Sequence, residues 1–310
     1  MSGHSHSHSH SHGASTATGA HRRRLVIVLC ITLGVMALEV VGALVSGSLA
    51  LLADAGHMLT DATGIGIALF ASWLATRPAS PTRTFGWQRA EILAALTNAL
   101  ILGTVAVLAI VEGVSRFRAP DPEIQAGLMI GVAVVGLVAN AIGLRLLSAG
   151  QAESLNVRGA YLEVLGDLLG SVAVIVAGFF VAIGFPGADG LASVAIGLMI
   201  LPRAFMLLRE VAAVLLESTP AGVDLEKVRT HMEGIPGVVG VHDLHAWTIT
   251  SGVPVMSAHV VVEDELLACG GGTEVLQRLK ECLGGHFDVD HCTFQIEPPS
   301  MQETEESVHH

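Results

Sequence analysis

Two short stretches of an otherwise apolar chain carry groups able to bind metal or protons. Residues 51–70 read LLADAGHMLTDATGIGIALF, where Asp54, His57 and Asp61 stand at i, i+3 and i+7 and so share one helix face. Residues 159–171 read GAYLEVLGDLLGS, where Glu163 and Asp167 stand at i and i+4, again on one face. A charged side chain near the bilayer centre costs about 2.5–3.5 kcal/mol on insertion scales, so such groups must face one another or water rather than lipid. One lone acid would be read as a polar group that fixes helix packing. Two helices that each present paired ligand-type groups point instead to a metal or proton site.

His57, Asp61, Glu163 and Asp167 together offer one nitrogen and three carboxylates. Four such ligands suit a tetrahedral Zn²⁺ site with bonds of about 2.0–2.2 Å. Three carboxylates held together away from water cannot all stay ionised cheaply, and ligands must be deprotonated to bind metal, so metal and protons compete for the same oxygens. That competition is the physical basis of an exchanger. Moving a dication out against a 100 mV inside-negative potential costs about 4.6 kcal/mol, while each entering proton returns about 2.3 kcal/mol plus about 1.4 per pH unit. The chain has no GxxxxGK[ST] nucleotide-binding motif, which leaves the proton gradient as the natural driver. Glu39, Glu91 and Glu112 each stand alone in or near apolar segments and are expected to be satisfied locally or to snorkel.

The elements that must position these groups are membrane helices. The chain has 310 residues, 51% hydrophobic and 14% charged, with a mean hydropathy of +0.62, too apolar for a soluble protein. Apolar segments at about 25–45, 49–75, 91–114, 124–147, 160–183 and 189–208 each approach the ~20 residues needed to cross the hydrocarbon. Arg22, Arg23 and Arg24, the connection with Arg77, Arg83 and Arg89, the pair Arg145 and Arg158, and Arg209 outweigh Arg116 and Arg118 on the opposite side. The excess predicts that both termini and the even-numbered loops face the cytosol. Gly127–Gly131 and Gly166–Gly170 are small-xxx-small pairs that would permit close helix approach. No cleavable signal peptide is evident, since the apolar stretch after Arg24 is long enough to span and lacks a cleavage site.

The net charge of −12 resides in the C-terminal part: from Glu217 onward there are 16 acids and 4 bases, while residues 1–216 hold 12 of each. The chain therefore divides into a disordered His-rich tail (1–21), a six-span domain (22–216), an acidic soluble domain (217–299) and a disordered tail (300–310). The tract MSGHSHSHSHSHG reads as a linker or tag, or as a metal-gathering tail with no fixed site. No basic surface for nucleic acid is present. Cys30, Cys269, Cys282 and Cys292 form no CxxC and no disulfide spacing pattern, which is compatible with a reducing compartment.

Within the soluble part, helical periodicity over 223–237, strands over 238–250 and 253–263 joined by Ser251-Gly252, a helix over 273–284 and a strand over 290–297 predict an α+β ferredoxin-like domain of order α-β-β-α-β. His242, His245, His259 and His291 fall on the strands. Simple alternation separates His242 from His245 by face and puts Cys292 in the apolar set with Phe294 and Ile296, opposite His291 and Glu297.

Taken together, HMLTD (57–61), EVLGD (163–167), six spans and a C-terminal α/β domain resemble the cation diffusion facilitator family. SLALLADAGHMLTD (48–61), FGWQRAEILAALTN (85–98), GAYLEVLGDLLGS (159–171) and VHDLHAWTITSG (241–252) look like its bacterial cobalt–zinc–cadmium efflux branch. The resemblance covers about residues 22–299. It implies a homodimeric antiporter in the bacterial inner membrane, not an enzyme, that exports Zn²⁺, and Cd²⁺ or Co²⁺, in exchange for protons, with no organic cofactor. It also implies that His57, Asp61, Glu163 and Asp167 ligate the transported ion, with Asp54 one turn away as a neighbouring group. A lower set, His242, His259 and Glu297, would hold structural metal at the dimer, with His245 and His291 as further donors. The second pair here opens with Glu163 where many relatives have His, which hardens the site and adds a titratable acid. The connection TRPASPTRTFGWQ (76–88) lacks the extra His/Asp ligands of some members. Efflux of Mn²⁺ or Fe²⁺, and a membrane-anchored metal sensor, are the alternatives.

Overall fold

The computed structural model describes residues 12–120, 123–148, 155–250, 252–286 and 291–302. The elements run α1 (His12–Ser46), α2 (Leu49–Ala75), α3 (Ala90–Arg118), α4 (Ala126–Ser148), α5 (Leu155–Ala182), α6 (Gly187–Leu215), α7 (Leu225–Glu233), β1 (Val238–Thr248), β2 (Pro254–Val262), α8 (Asp264–Ala268), α9 (Gly272–His286), β3 (His291–Glu297) and α10 (Pro299–Gln302). Six of these helices are long and apolar enough to cross a membrane, and they match the six apolar segments. The chain forms two compact units. One holds residues 1–66 and 98–205, the other 67–97 and 206–310.

In the first unit the core is built from small side chains: Ala43, Ala50, Ala53, Ala106, Ala109, Ala133, Ala177, Ala188, Ala192 and Ala204 surround Leu51, Leu102, Met129, Ile196 and Ile200. Large apolar residues point outward instead, Leu44 at 73% exposure and Phe179 at 59%. This inverts the soluble pattern, because lipid solvates large apolar groups while small residues let helix backbones approach. The close approach is at Gly113 and Gly190, where α3 and α6 meet: a β-carbon on Gly190 would stand 2.5 Å from the Gly113 carbonyl oxygen. Gly127, Gly131 and Gly166 face open space, so those small-residue pairs make no such contact; Gly170 alone has a close neighbour, the Asp54 carboxylate.

Two expectations about local order change. The helix α1 begins at His12, inside the tract expected to be disordered, because extending a formed helix through GASTA costs far less than nucleating one. Residues 1–11 and 303–310 lie outside the described residues, and α10 takes in the start of the expected C-terminal tail.

In the second unit a three-stranded sheet of order β1-β2-β3 pairs β1 with β2 antiparallel and β2 with β3 parallel. α7 and α9 cover one face through Val228, Met232, Val275, Leu279 and Leu283. The α-β-β-α-β order is as expected, with the short α8 added. Asp224 caps α7, accepting from the backbone N–H of Glu226 at 3.2 Å and Lys227 at 3.3 Å. Gly252 turns the hairpin at φ +75°, a left-handed conformation that favours glycine.

Candidate metal centre

His57 and Asp61 lie one turn apart on α2, with His57 Nε2 3.8 Å from Asp61 Oδ2. Glu163 and Asp167 lie one turn apart on α5. His57, Asp167 and Asp54 are buried, at 5%, 4% and 1% exposure. His57 Nδ1, Asp61 Oδ1, Asp167 Oδ1 and both Asp54 oxygens are buried without a hydrogen-bond partner. Buried polar atoms left unpaired are costly, and their concentration on facing helices marks a place where a ligand would supply the missing partner.

One residue not foreseen from the sequence joins the two helices. Arg203, on α6 directly after Pro202, donates from one guanidinium nitrogen to Asp61 Oδ2 at 2.9 Å and from the other to Glu163 Oε1 at 2.8 Å. The signal was present: Arg203 is the one base between Arg158 and Arg209, inside the sixth apolar segment. The guanidinium unites Asp61 and Glu163, yet no three of His57, Asp61, Glu163 and Asp167 offer ligand atoms all within 4.8 Å of one another.

Glu39 corrects another expectation. It neither snorkels nor finds a local partner: on α1 it is fully buried, with both oxygens unpaired, over Gly136. Glu91 is satisfied, accepting from the Thr250 hydroxyl at 2.5 Å. Asp189, which opens α6, is also fully buried and accepts from Ser48 Oγ at 2.6 Å and from the backbone N–H of Leu49 at 2.8 Å and Ala50 at 3.1 Å. It thereby caps α2, the helix that carries His57 and Asp61, at its N-terminus.

In the second unit, His242 and His259 face each other across β1 and β2, with ring centroids 5.0 Å apart. The fully buried Glu297 carboxylate lies 2.6 Å from His242 Nε2 and 3.6 Å from His259 Nδ1, and accepts from Gln295 at 3.0 Å. Glu297 adjoins both histidines, while the set whose single ligand atoms all lie within 4.8 Å of one another is His242, Asp243 and His259, Asp243 being a donor that the sequence did not point to. Asp243 sits at φ +44° in a bulge of β1. The same bulge overturns the alternation argument. His242 is opposite His259 and His245 opposite Ser257, two residues apart on β2, so both histidines lie on one face, while Leu244 and Ala246 enter the core. His291 pairs with Val255, four residues from the His259 register, and its ring meets Phe85 edge-on at 5.7 Å. Cys292 packs against the core with Phe294 and Ile296, as expected.

Six membrane-capable helices that carry buried ligand-type side chains, followed by a small α/β domain with a second such group, are the architecture of a multi-pass membrane protein with two candidate metal-binding regions. The cation efflux transmembrane domain family matches residues 25–216, and the cation efflux protein cytoplasmic domain family matches residues 220–299. The chain is 44% identical over 290 residues to the metal cation efflux system protein CzcD of Cupriavidus metallidurans, covering 93% of this chain and 90% of that protein. It is 40% identical to the zinc transporter ZitB of Escherichia coli, over 89% of this chain and 87% of that protein. It is 35% identical to the cadmium, cobalt and zinc/H(+)-K(+) antiporter of Bacillus subtilis, over 89% and 93%. Among solved structures, the metal-bound C-terminal domain of a CzcD transporter is 41% identical, covers 24% of this chain and 99% of that one, and has a TM-score of 0.22. The chain belongs to the cation diffusion facilitator family, in its cobalt–zinc–cadmium branch.

Proposed function

We propose that this protein is a proton-coupled antiporter that exports Zn²⁺, and also Cd²⁺ and Co²⁺, from the cytosol by alternating access of a site made by His57, Asp61, Glu163 and Asp167. The observation that carries this reading is the set of buried, unpaired ligand atoms on α2 and α5. The names of the relatives, a zinc transporter and a cadmium, cobalt and zinc antiporter among them, support the choice of cargo and of exchange. One imidazole among three carboxylates fits borderline metals that accept both donor types. Protons entering from outside would take the carboxylates that the metal leaves.

In this reading residues 22–216 form the transport domain and 217–299 a cytosolic domain through which two copies associate in the plasma membrane, both termini facing the cytosol. His242, His259 and Glu297, with Asp243, would bind a second metal and offset the acidic charge that keeps two such domains apart. The His-rich tail would gather metal near the entrance. The test is zinc uptake into everted vesicles under an imposed pH gradient. Asp61→Asn and Asp167→Asn should each abolish uptake that the unaltered protein supports; uptake that survives either change overturns the site.

A further inference from the structure

Arg203 has no place in the four-ligand scheme, yet it forms ion pairs with two of that scheme's three carboxylates. Its guanidinium holds Asp61 Oδ2 at 2.9 Å and Glu163 Oε1 at 2.8 Å, one nitrogen on each. A guanidinium does not lose its proton in proteins, so this is a fixed positive charge. Two oxygens that a metal would use are therefore committed to a cation built into the chain. A dication that reaches the site must either displace the guanidinium or bind beside it, and both reduce its affinity.

The Arg203 side chain is 41% exposed, that of Glu163 38% and that of Asp61 14%, so the guanidinium is not sealed into the site. Exposure also leaves the long side chain room to leave and return. His57 Nδ1, Asp61 Oδ1 and Asp167 Oδ1 remain buried and unpaired, so ligand atoms persist beside the guanidinium.

We propose that Arg203 is an internal counter-cation that competes with the transported divalent ion for Asp61 and Glu163, weakening its binding and speeding its release. The inference rests on the transport site assigned above. When metal arrives, the guanidinium swings off the two carboxylates; when it swings back, it replaces metal charge with its own.

The experiment measures Zn²⁺ binding by calorimetry on the full-length protein in lipid nanodiscs, and zinc transport kinetics in proteoliposomes. The binding component lost in Asp61→Asn defines the transport site. Arg203→Gln should tighten that component by at least about tenfold, lowering KM and kcat together as release slows. Arg203→Lys keeps the charge but cannot fork onto two carboxylates, and should fall between the two proteins. An affinity in Arg203→Gln that is unchanged or weaker overturns the proposal. If Arg203→Gln does not fold, Arg203→Lys decides by the same sign. If Asp61→Asn leaves binding and transport intact, the site assignment itself fails. If Asp61→Asn abolishes both while the Arg203 variants match the unaltered protein, only the counter-cation role fails.

Discussion

Asp189→Ala should damage the helix that carries His57 and Asp61 without touching either. Asp189 reaches from the first turn of α6 to the start of α2, 140 residues away in sequence, and accepts from Ser48 Oγ, Leu49 N–H and Ala50 N–H at 2.6, 2.8 and 3.1 Å. The first N–H groups of a helix have no partner within it. Ser48, Ala50 and Asp189 are buried, so water does not replace the lost acceptor. A hydrogen bond to a charged group contributes about 1.5–3 kcal/mol, and a donor left buried and unpaired costs about 1–3 kcal/mol. Three such bonds, discounted for overlap, come to about 3–5 kcal/mol. At roughly 2–4 °C per kcal/mol for a domain of this size, the melting temperature should fall on the order of 10 °C. Asp189→Asn keeps one acceptor oxygen and should lose about half as much. The assay is thermal unfolding of purified full-length protein in one lipid or detergent. Arg116, 3.9 Å from Asp189, also donates to the Gly47 carbonyl at 3.0 Å, and Arg116→Ala separates its share. A melting temperature for Asp189→Ala within about 2 °C of the unaltered protein would refute the capping argument.

Two further outcomes follow from the same geometry. Gly190→Ala should cost about 1–3 kcal/mol, because its β-carbon would press on the Gly113 carbonyl, a backbone atom that cannot rotate away; Gly127→Ala faces open space and should be neutral or slightly stabilising, and the melting temperatures of the two variants tell them apart. Backbone N–H groups, Lys227 first, hold the Asp224 carboxyl below its ordinary range at the α7 cap. Its contribution is therefore fully present above the unfolded-state value near pH 4 and is lost as pH falls through the lowered folded value. Hydrogen exchange of the α7 amides should rise over that acid window in the unaltered protein and show no such step in Asp224→Ala.

What could be read in the sequence, and what could not, follows the reach of each interaction. The six spans were legible because lipid demands about 20 apolar residues in a row, a property of neighbours along the chain. His57 with Asp61, and Glu163 with Asp167, were legible as pairs because one helical turn places i and i+4 together whatever surrounds them. The α-β-β-α-β order followed from periodicity and turn residues. So did the grouping of Cys292 with Phe294 and Ile296. By contrast, alternation assigned His245 to the wrong face, because a single bulge residue at Asp243 resets the phase of a strand and leaves little trace in the pattern.

The sequence by itself determined the membrane class, the two helical half-sites and the small α/β domain, since each is encoded over a few turns of local chain. Only the tertiary structure decided which groups share those surroundings. It set Arg203 of α6 on Asp61 and Glu163, Asp189 of α6 under the first turn of α2, and Glu297 of β3 between His242 and His259. It also buried Glu39 against Gly136, where a solitary acid could equally have reached the membrane surface. The physical reason is that a charged side chain's partner is chosen by which helices or strands pack together, and the 40 to 142 residues between such partners as Glu163, Asp61 and Arg203 carry no local record of that choice.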